Sequence, residues 1–196
     1  MPDRPFHHGN LRAVLLDQAE AVLRERGLDG LSLRELAREA GVSHGAPRKH
    51  FIDRNALLDA LAERGFVRLA DEIHQAAAHA PDHAHALQAA GSAYVRFAVK
   101  EPALLDLMFA AKVDAPSEAV RTAAERLFAA MADIMSAGVE AGVYDASDVD
   151  RLTLVLSATV QGTASLIASR RITTSQGEGL IKDAITLFLA GASTAH

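Results

Sequence analysis

The sequence predicts an all-α protein, and three observations carry that prediction. Apolar residues recur at helical spacing in segment after segment of the 196-residue chain. Alanine is abundant, aromatic residues make up only 5% and β-branched runs are scarce, a composition that favours helix over strand. Stretches with Gly, Pro, Ser or Asp interrupt the pattern where helices should end. A chain of this length forms one or two domains and buries about 70% of its unfolded surface.

Asn10 can cap a first helix whose apolar positions Leu11, Val14, Leu15, Ala19, Val22 and Leu23 share a face and which ends near Gly27. Residues 31–51, LSLRELAREAGVSHGAPRKHF, are the most informative stretch. Ser32 followed by Glu35 is a capping box ahead of Leu33, Leu36, Ala37 and Ala40. Gly41 supplies the left-handed conformation that ends this second helix. Ser43 can then cap a third helix, barely two turns long, that carries His44, Arg48, Lys49 and His50. A unit so short is unstable alone. It makes sense as a helix-turn-helix, with the first helix packed down as support and the second offered to a DNA major groove. Pro47, at the fourth position of that second helix, removes an intrahelical bond and is expected to leave the opening turn wide.

Asp53 can cap a fourth helix with Leu57, Leu58, Leu61, Phe66, Leu69 and Ile73 on one face. A His-rich break at 79–85 precedes a fifth helix, about 84–100, with Leu87, Tyr94, Val95, Phe97 and Ala98 inward. Pro102 starts a short sixth helix carrying Leu104, Leu105, Leu107, Met108 and Phe109. Pro116 and Ser117 open a long seventh with Val120, Ala124, Leu127, Phe128, Met131, Ile134 and Met135. After a turn at 142–147 come segment 148–170, with few charges in its middle, and a last helix over about 175–191. Leu152, Leu154, Val155, Leu156, Val160, Leu166 and Ile167 spread round much of the segment. That is more than one face needs, so the last two helices are expected to pair with their copies in a homodimer. The pattern supports eight to ten helices.

The net charge of −5 divides into +1 over residues 1–54 and −6 over residues 55–196. The only non-acidic part is therefore where the helix-turn-helix lies. A charge of +1 is modest, so affinity for double-stranded DNA has to come from placement and dimerisation. The chain has no cysteine, which excludes disulfides, thiol nucleophiles and Cys-based zinc sites. His74, His79, His83 and His85 lack an accompanying carboxylate set and span a Pro-containing break, so they read as a hydrated interhelical loop with no metal. Without a Gly-x-Ser-x-Gly elbow, a phosphate loop or a His-Glu-x-x-His motif, neither an enzyme nor a cofactor is expected. No apolar run approaches the ~20 residues that span a bilayer. The polar N-terminus has no apolar export segment, so the expectation is a cytoplasmic protein with no membrane partner.

The helix-turn-helix stretch resembles the TetR-type one-component transcriptional repressors. Leu36, Ala37, Ala40, Gly41, Val42, Ser43, Gly45, His50 and Phe51 stand in register with that family's signature. FHHGNLR (Phe6 to Arg12) and SHGAP (Ser43 to Pro47) look like one branch of it. The resemblance covers roughly the first 60 residues; the remainder matches in length and helical character. It implies nine helices in a three-plus-six arrangement, a DNA-binding domain at 1–54 and a ligand-binding and dimerisation domain at 55–196. It further implies a repressor released from a palindromic operator by a small apolar effector. The alternative is an all-helical small-molecule-binding protein with a degenerate head.

On this reading Ser43, His44, Gly45, Arg48, Lys49 and His50 face DNA, and Arg54 stands where the family has a phosphate-binding Lys. Arg48 stands where the family usually has Tyr, which keeps a phosphate contact but loses a packed aromatic hydroxyl. Phe51 is expected in the core between the first and fourth helices, and Arg4, His7 and His8 form a basic arm able to reach a phosphate or minor groove. The candidates for an effector pocket are Tyr94, Phe97, Met108, Phe109, Phe128, Met131, Met135 and Gln161, with Thr159 and Thr163 beside them. Met and aromatic side chains suit an adaptable apolar cavity, while Gln161 and Thr163 need partners if buried. Relatives often carry Trp-x-x-x-His-Gly on this helix; here Ser157 to Gly162 keeps only the Gly.

Overall fold

A computed structural model describes residues 11–113 and 116–193, and eight α-helices account for most of them. They are α1 (Leu11–Arg26), α2 (Leu33–Glu39), α3 (Arg54–Ala78), α4 (His83–Lys100), α5 (Pro102–Val113), α6 (Glu118–Glu140), α7 (Val149–Ala168) and α8 (Thr174–Ser193). Single turns of 3-10 helix occur at Leu28–Gly30, Pro47–Lys49 and Ala146–Asp148. No strand forms among the described residues. None of their helices is long and apolar enough to cross a membrane. Asn10 and the basic arm of Arg4, His7 and His8 lie outside the described residues.

Local chemistry sets several helix ends. The Ser32 hydroxyl accepts from Glu35 N–H at 3.3 Å, Asp53 Oδ1 from Ala56 N–H at 2.8 Å, and Asp82 Oδ1 from His85 N–H at 2.9 Å. At the end of α2, Gly41 has φ 66°, Gly41 N–H bonds Arg38 O, and Val42 N–H reaches back to Ala37 O. Gly142, with φ 67°, closes α6 by the same pair of bonds, to Val139 O and Gly138 O. A residue with a Cβ is strained in that conformation, which is why glycine stands at both ends.

The chain packs as two compact units, Met1–Gly65 with Ala103–Arg121, and Phe66–Pro102 with Thr122–His196. The first unit therefore extends past residue 54 and takes in α5. Its largest fully buried side chains are Leu15 and Leu23 of α1, Leu36 of α2, Phe51, Leu57 and Leu61, and Leu104 and Met108 of α5. A Cβ at Gly65 would lie 2.5 Å from Met108 Sδ, so the absence of a side chain there lets α5 lie close on α3. Arg64 of α3 ties down α1 through Asp17 at 2.5 Å and Glu20 at 3.2 Å.

In the second unit α4, α7 and α8 pack on one another. Leu87, Val95, Met135, Tyr144, Leu152, Leu156, Ile167, Ile181 and Ile185 form its core. Gly91 permits the close approach of Ile181, whose Cγ2 would stand 2.9 Å from an added Cβ. Burial of these aliphatic side chains contributes roughly 1.5–3 kcal/mol each.

Candidate nucleic-acid interface

Ser43, His44, Gly45, Arg48, Lys49 and His50 form one exposed arc after α2, and Pro47 alone within it is buried. The arc is not the two-turn α-helix that the spacing predicts. Ala46 N–H bonds Ser43 O at 2.9 Å, Lys49 N–H bonds Ala46 O at 3.2 Å, and His50 N–H bonds Pro47 O at 2.9 Å, all three residues apart. Pro47 is the physical cause. It has no N–H to give the Ser43 carbonyl, the acceptor of the first α-helical bond, so that carbonyl takes Ala46 instead. The chain tightens into 3-10 turns rather than opening wide. No side chain, Ser43 included, caps the Pro47–Lys49 turn. An added Cβ at Gly45 would meet nothing within 4 Å, so packing inside the protein does not require glycine there.

Beneath the arc Phe51 is buried, as expected, with the Arg12 guanidinium 5.5 Å from its ring centre. Arg54 is exposed yet engaged: its Nε donates to Leu31 O at 3.1 Å and its Nη2 to Leu28 O at 2.6 Å. Two of its five donors thus hold the Leu28–Leu31 turn that leads from α1 into α2. Ile52, between buried Phe51 and the capping residue Asp53, is 82% exposed. Sequence periodicity gave no reason to single it out, because it belongs to no helix.

The candidate effector residues occupy different environments. Met108 and Phe109 belong to the first unit, where Met108 is fully buried against Gly65 and Phe109 is half-buried. In the second unit Phe97 is buried under the Arg68 guanidinium, 5.0 Å from its ring centre. Met135 is core, its sulfur 3.5 Å from the Tyr144 hydroxyl. Tyr94 and Met131 are half-buried, and burial pushes the Tyr94 hydroxyl up to about 12. Phe128 is 44% exposed, and Gln161 faces outward. Thr163 is the buried polar residue of α7; its hydroxyl donates to Thr159 O at 2.9 Å within the helix. The four histidines do not share one interhelical loop: His74 lies in α3, and His83 and His85 open α4. His79 contacts Gln75 O, His83 the Tyr144 hydroxyl and His85 Asp82.

A tight polar turn mounted on two supporting helices, followed by six further helices, is the build of a helical DNA-binding regulator. The chain belongs to the TetR family. Residues 15–61 match the bacterial regulatory proteins of the tetR family, and residues 87–186 match the tetracyclin repressor-like C-terminal domain. It thus has the domains of a TetR-family transcriptional regulator, a family of DNA-binding regulatory proteins rather than enzymes.

The chain is 40% identical to a protein of unknown function from Rhodococcus sp. RHA1, with a TM-score of 0.90 over 98% of this chain and 100% of that one. A putative TetR-family transcriptional regulator from Rhodococcus sp. shares the fold at 22% identity and a TM-score of 0.72, over 92% and 99% of the two chains. Another from Mesorhizobium loti does so at 19% identity and a TM-score of 0.77, over 94% and 98%. No curated protein matches the chain.

Proposed function

We propose that the protein is a cytoplasmic, homodimeric transcriptional repressor that binds a near-palindromic DNA operator and leaves it when a small apolar effector binds. The observation that carries this reading is the arc of Ser43, His44, Gly45, Arg48, Lys49 and His50, exposed throughout and anchored from below by Pro47 and Phe51. Backbone amides, a hydroxyl, two cations and two imidazoles on one small convex turn suit phosphate and base-edge contacts. The open space over Gly45 leaves room for a phosphate to approach the backbone. Arg54 joins the set with the donors that its two carbonyl bonds leave over.

The proposed dimer uses α7 and α8, which leave Leu154 71% and Leu187 74% exposed, with Val155 and Leu180 beside them. Gly162 and Gly179 are helical glycines with open space above them, which suits close approach of a second helix pair. The effector contacts are assigned to Tyr94, Phe97, Met108, Phe109, Phe128, Met131, Met135 and Gln161. Domain limits of 1–54 and 55–196 remain the proposed division of labour between DNA and ligand.

The second reading, a small-molecule-binding protein whose head no longer reads DNA, is favoured by the shortening of the recognition segment at Pro47. Selection of bound sequences from random DNA separates the two. A repressor enriches a palindrome, and Arg48→Ala or Lys49→Ala weakens its binding by ~1–3 kcal/mol where the side chain reads a base edge. Failure to enrich any sequence, with the double variant no weaker than the parent, favours the second reading.

A further inference from the structure

A cavity of about 230 Å³ opens between the middle of α3 and the last turn of α4, lined by Arg68, Glu72, Arg96, Phe97, Lys100 and Glu101. Its inner wall is an ion-pair system. Glu101, only 4% exposed, holds Arg68 Nη2 at 3.3 Å, and Glu72 approaches the same guanidinium at 4.0 Å. The face of that guanidinium lies on Phe97. A buried carboxylate requires such a cation, and Arg68 is in turn held from three sides. The outer wall differs. Arg96 and Lys100 stand one helical turn apart on α4, both exposed, and neither meets a carboxylate among the described residues. Three cations therefore face two anions across the recess, and both anions are engaged by Arg68. This positive surplus sits within residues 55–196, a stretch of net charge −6.

We propose that this recess binds a small organic monocarboxylate, its carboxylate bridging Arg96 and Lys100 and its short planar body lying over the Arg68 guanidinium that covers Phe97. The planar guanidinium of Arg96 matches a carboxylate with two parallel bonds, and Lys100 adds a compact positive charge from the next turn. The volume admits a molecule of about the size of benzoate. Drug-sized ligands, whose pockets run to ~300–1,000 Å³, do not fit. Glu72 and Glu101 repel a second negative charge on the opposite wall, which selects monoanions over dianions. Of the residues assigned to the apolar effector only Phe97 belongs to this lining; Arg96 and Lys100, which carry the proposal, are not among them.

The test is calorimetric titration of the full-length protein with sodium benzoate. Ionic strength is held constant with sodium chloride, and benzamide serves as the uncharged isostere. Saturable binding is expected, with at least a tenfold preference for benzoate over benzamide. Arg96→Gln combined with Lys100→Gln removes charge-assisted bonds and should weaken benzoate by about tenfold or more. Both side chains are exposed, so the melting temperature of the variant should stay at the parent value, which guards against loss of the fold. Equal affinity for benzoate and benzamide, absence of saturable benzoate binding, or full binding by the double variant would overturn the proposal. DNA plays no part in this readout, so the result is independent of whether the head reads an operator.

Discussion

Tyr144 shows how much a single residue fixes. Its hydroxyl has one proton and donates it to Met135 O at 3.0 Å, so His83 Nε2, also at 3.0 Å, must be the donor in their contact. Burial pushes the Tyr144 hydroxyl up to about 12, and burial likewise depresses the His83 pKa more than neighbouring Asp82 raises it. The sign of the pH dependence follows. The unfolded chain accepts a proton on His83 more readily than the folded one, so this contribution is complete above pH ~6.5 and is lost as the pH falls below it. The melting temperature should therefore fall between pH 7.5 and pH 5.5, and His83→Gln should flatten that fall in a series of thermal scans. An added Cβ at Gly138 would collide with both rings. Gly138→Ala is expected to cost about 1–3 kcal/mol in a denaturant titration. Arg54→Met loses two bonds to backbone carbonyls; because the guanidinium is exposed, about 1 kcal/mol is the expected loss by the same measurement. The sequence put Arg54 at the head of α3 correctly. It did not indicate that the side chain turns back to Leu28 and Leu31, since such pairing across more than twenty residues leaves no periodic trace.

At the scale of the element, what was legible in the sequence was whatever is encoded within four or five residues. Ser32, Gly41 and Asp53 act on neighbours in the chain, and α2 begins and ends, and α3 begins, accordingly. The segment Ser43–His50 departs from the periodic pattern for an equally local reason. Periodicity counts side chains, whereas the missing Pro47 N–H decides which donor the Ser43 carbonyl receives. Pro47→Ala should return that donor. Hydrogen exchange is expected to show a protected amide at residue 47, and DNA selected by this variant should differ from that selected by the parent; an unprotected amide would refute the account. Gly65→Ala tests the α3–α5 contact, where a fully buried Met108 has to shift. A loss of about 1–3 kcal/mol in chemical unfolding is expected.

For the whole molecule, the apolar surplus of α7 was readable from composition, but its direction was not. Leu152 and Leu156 point into the core while Leu154 and Val155 face out, a distinction fixed only once α4 and α8 cover the other side. Leu154→Glu with Leu187→Glu should give a protein that stays helical by circular dichroism but is monomeric by light scattering, against a dimeric mass expected of the parent on the proposed assembly. The charged recess beside Glu101 was illegible for a related reason: Arg68, Arg96 and Glu101 each look like ordinary solvated residues until α3 and α4 bring them together.

The assembly of the first unit from two separate stretches of the chain also bears on how the protein is made. Ribosomes release the chain N-terminus first at ~5–20 residues per second. The first unit needs Ala103–Arg121, so its earlier part, through Gly65, waits several seconds for Leu104 and Met108 to emerge. Throughout that wait the α3 surface around Gly65 is open to chaperones, proteases and other nascent chains. Nascent chains stalled before residue 103 should accordingly be digested readily by protease, and chains stalled well beyond residue 121 should resist, which makes the order of synthesis itself part of what this fold has to survive.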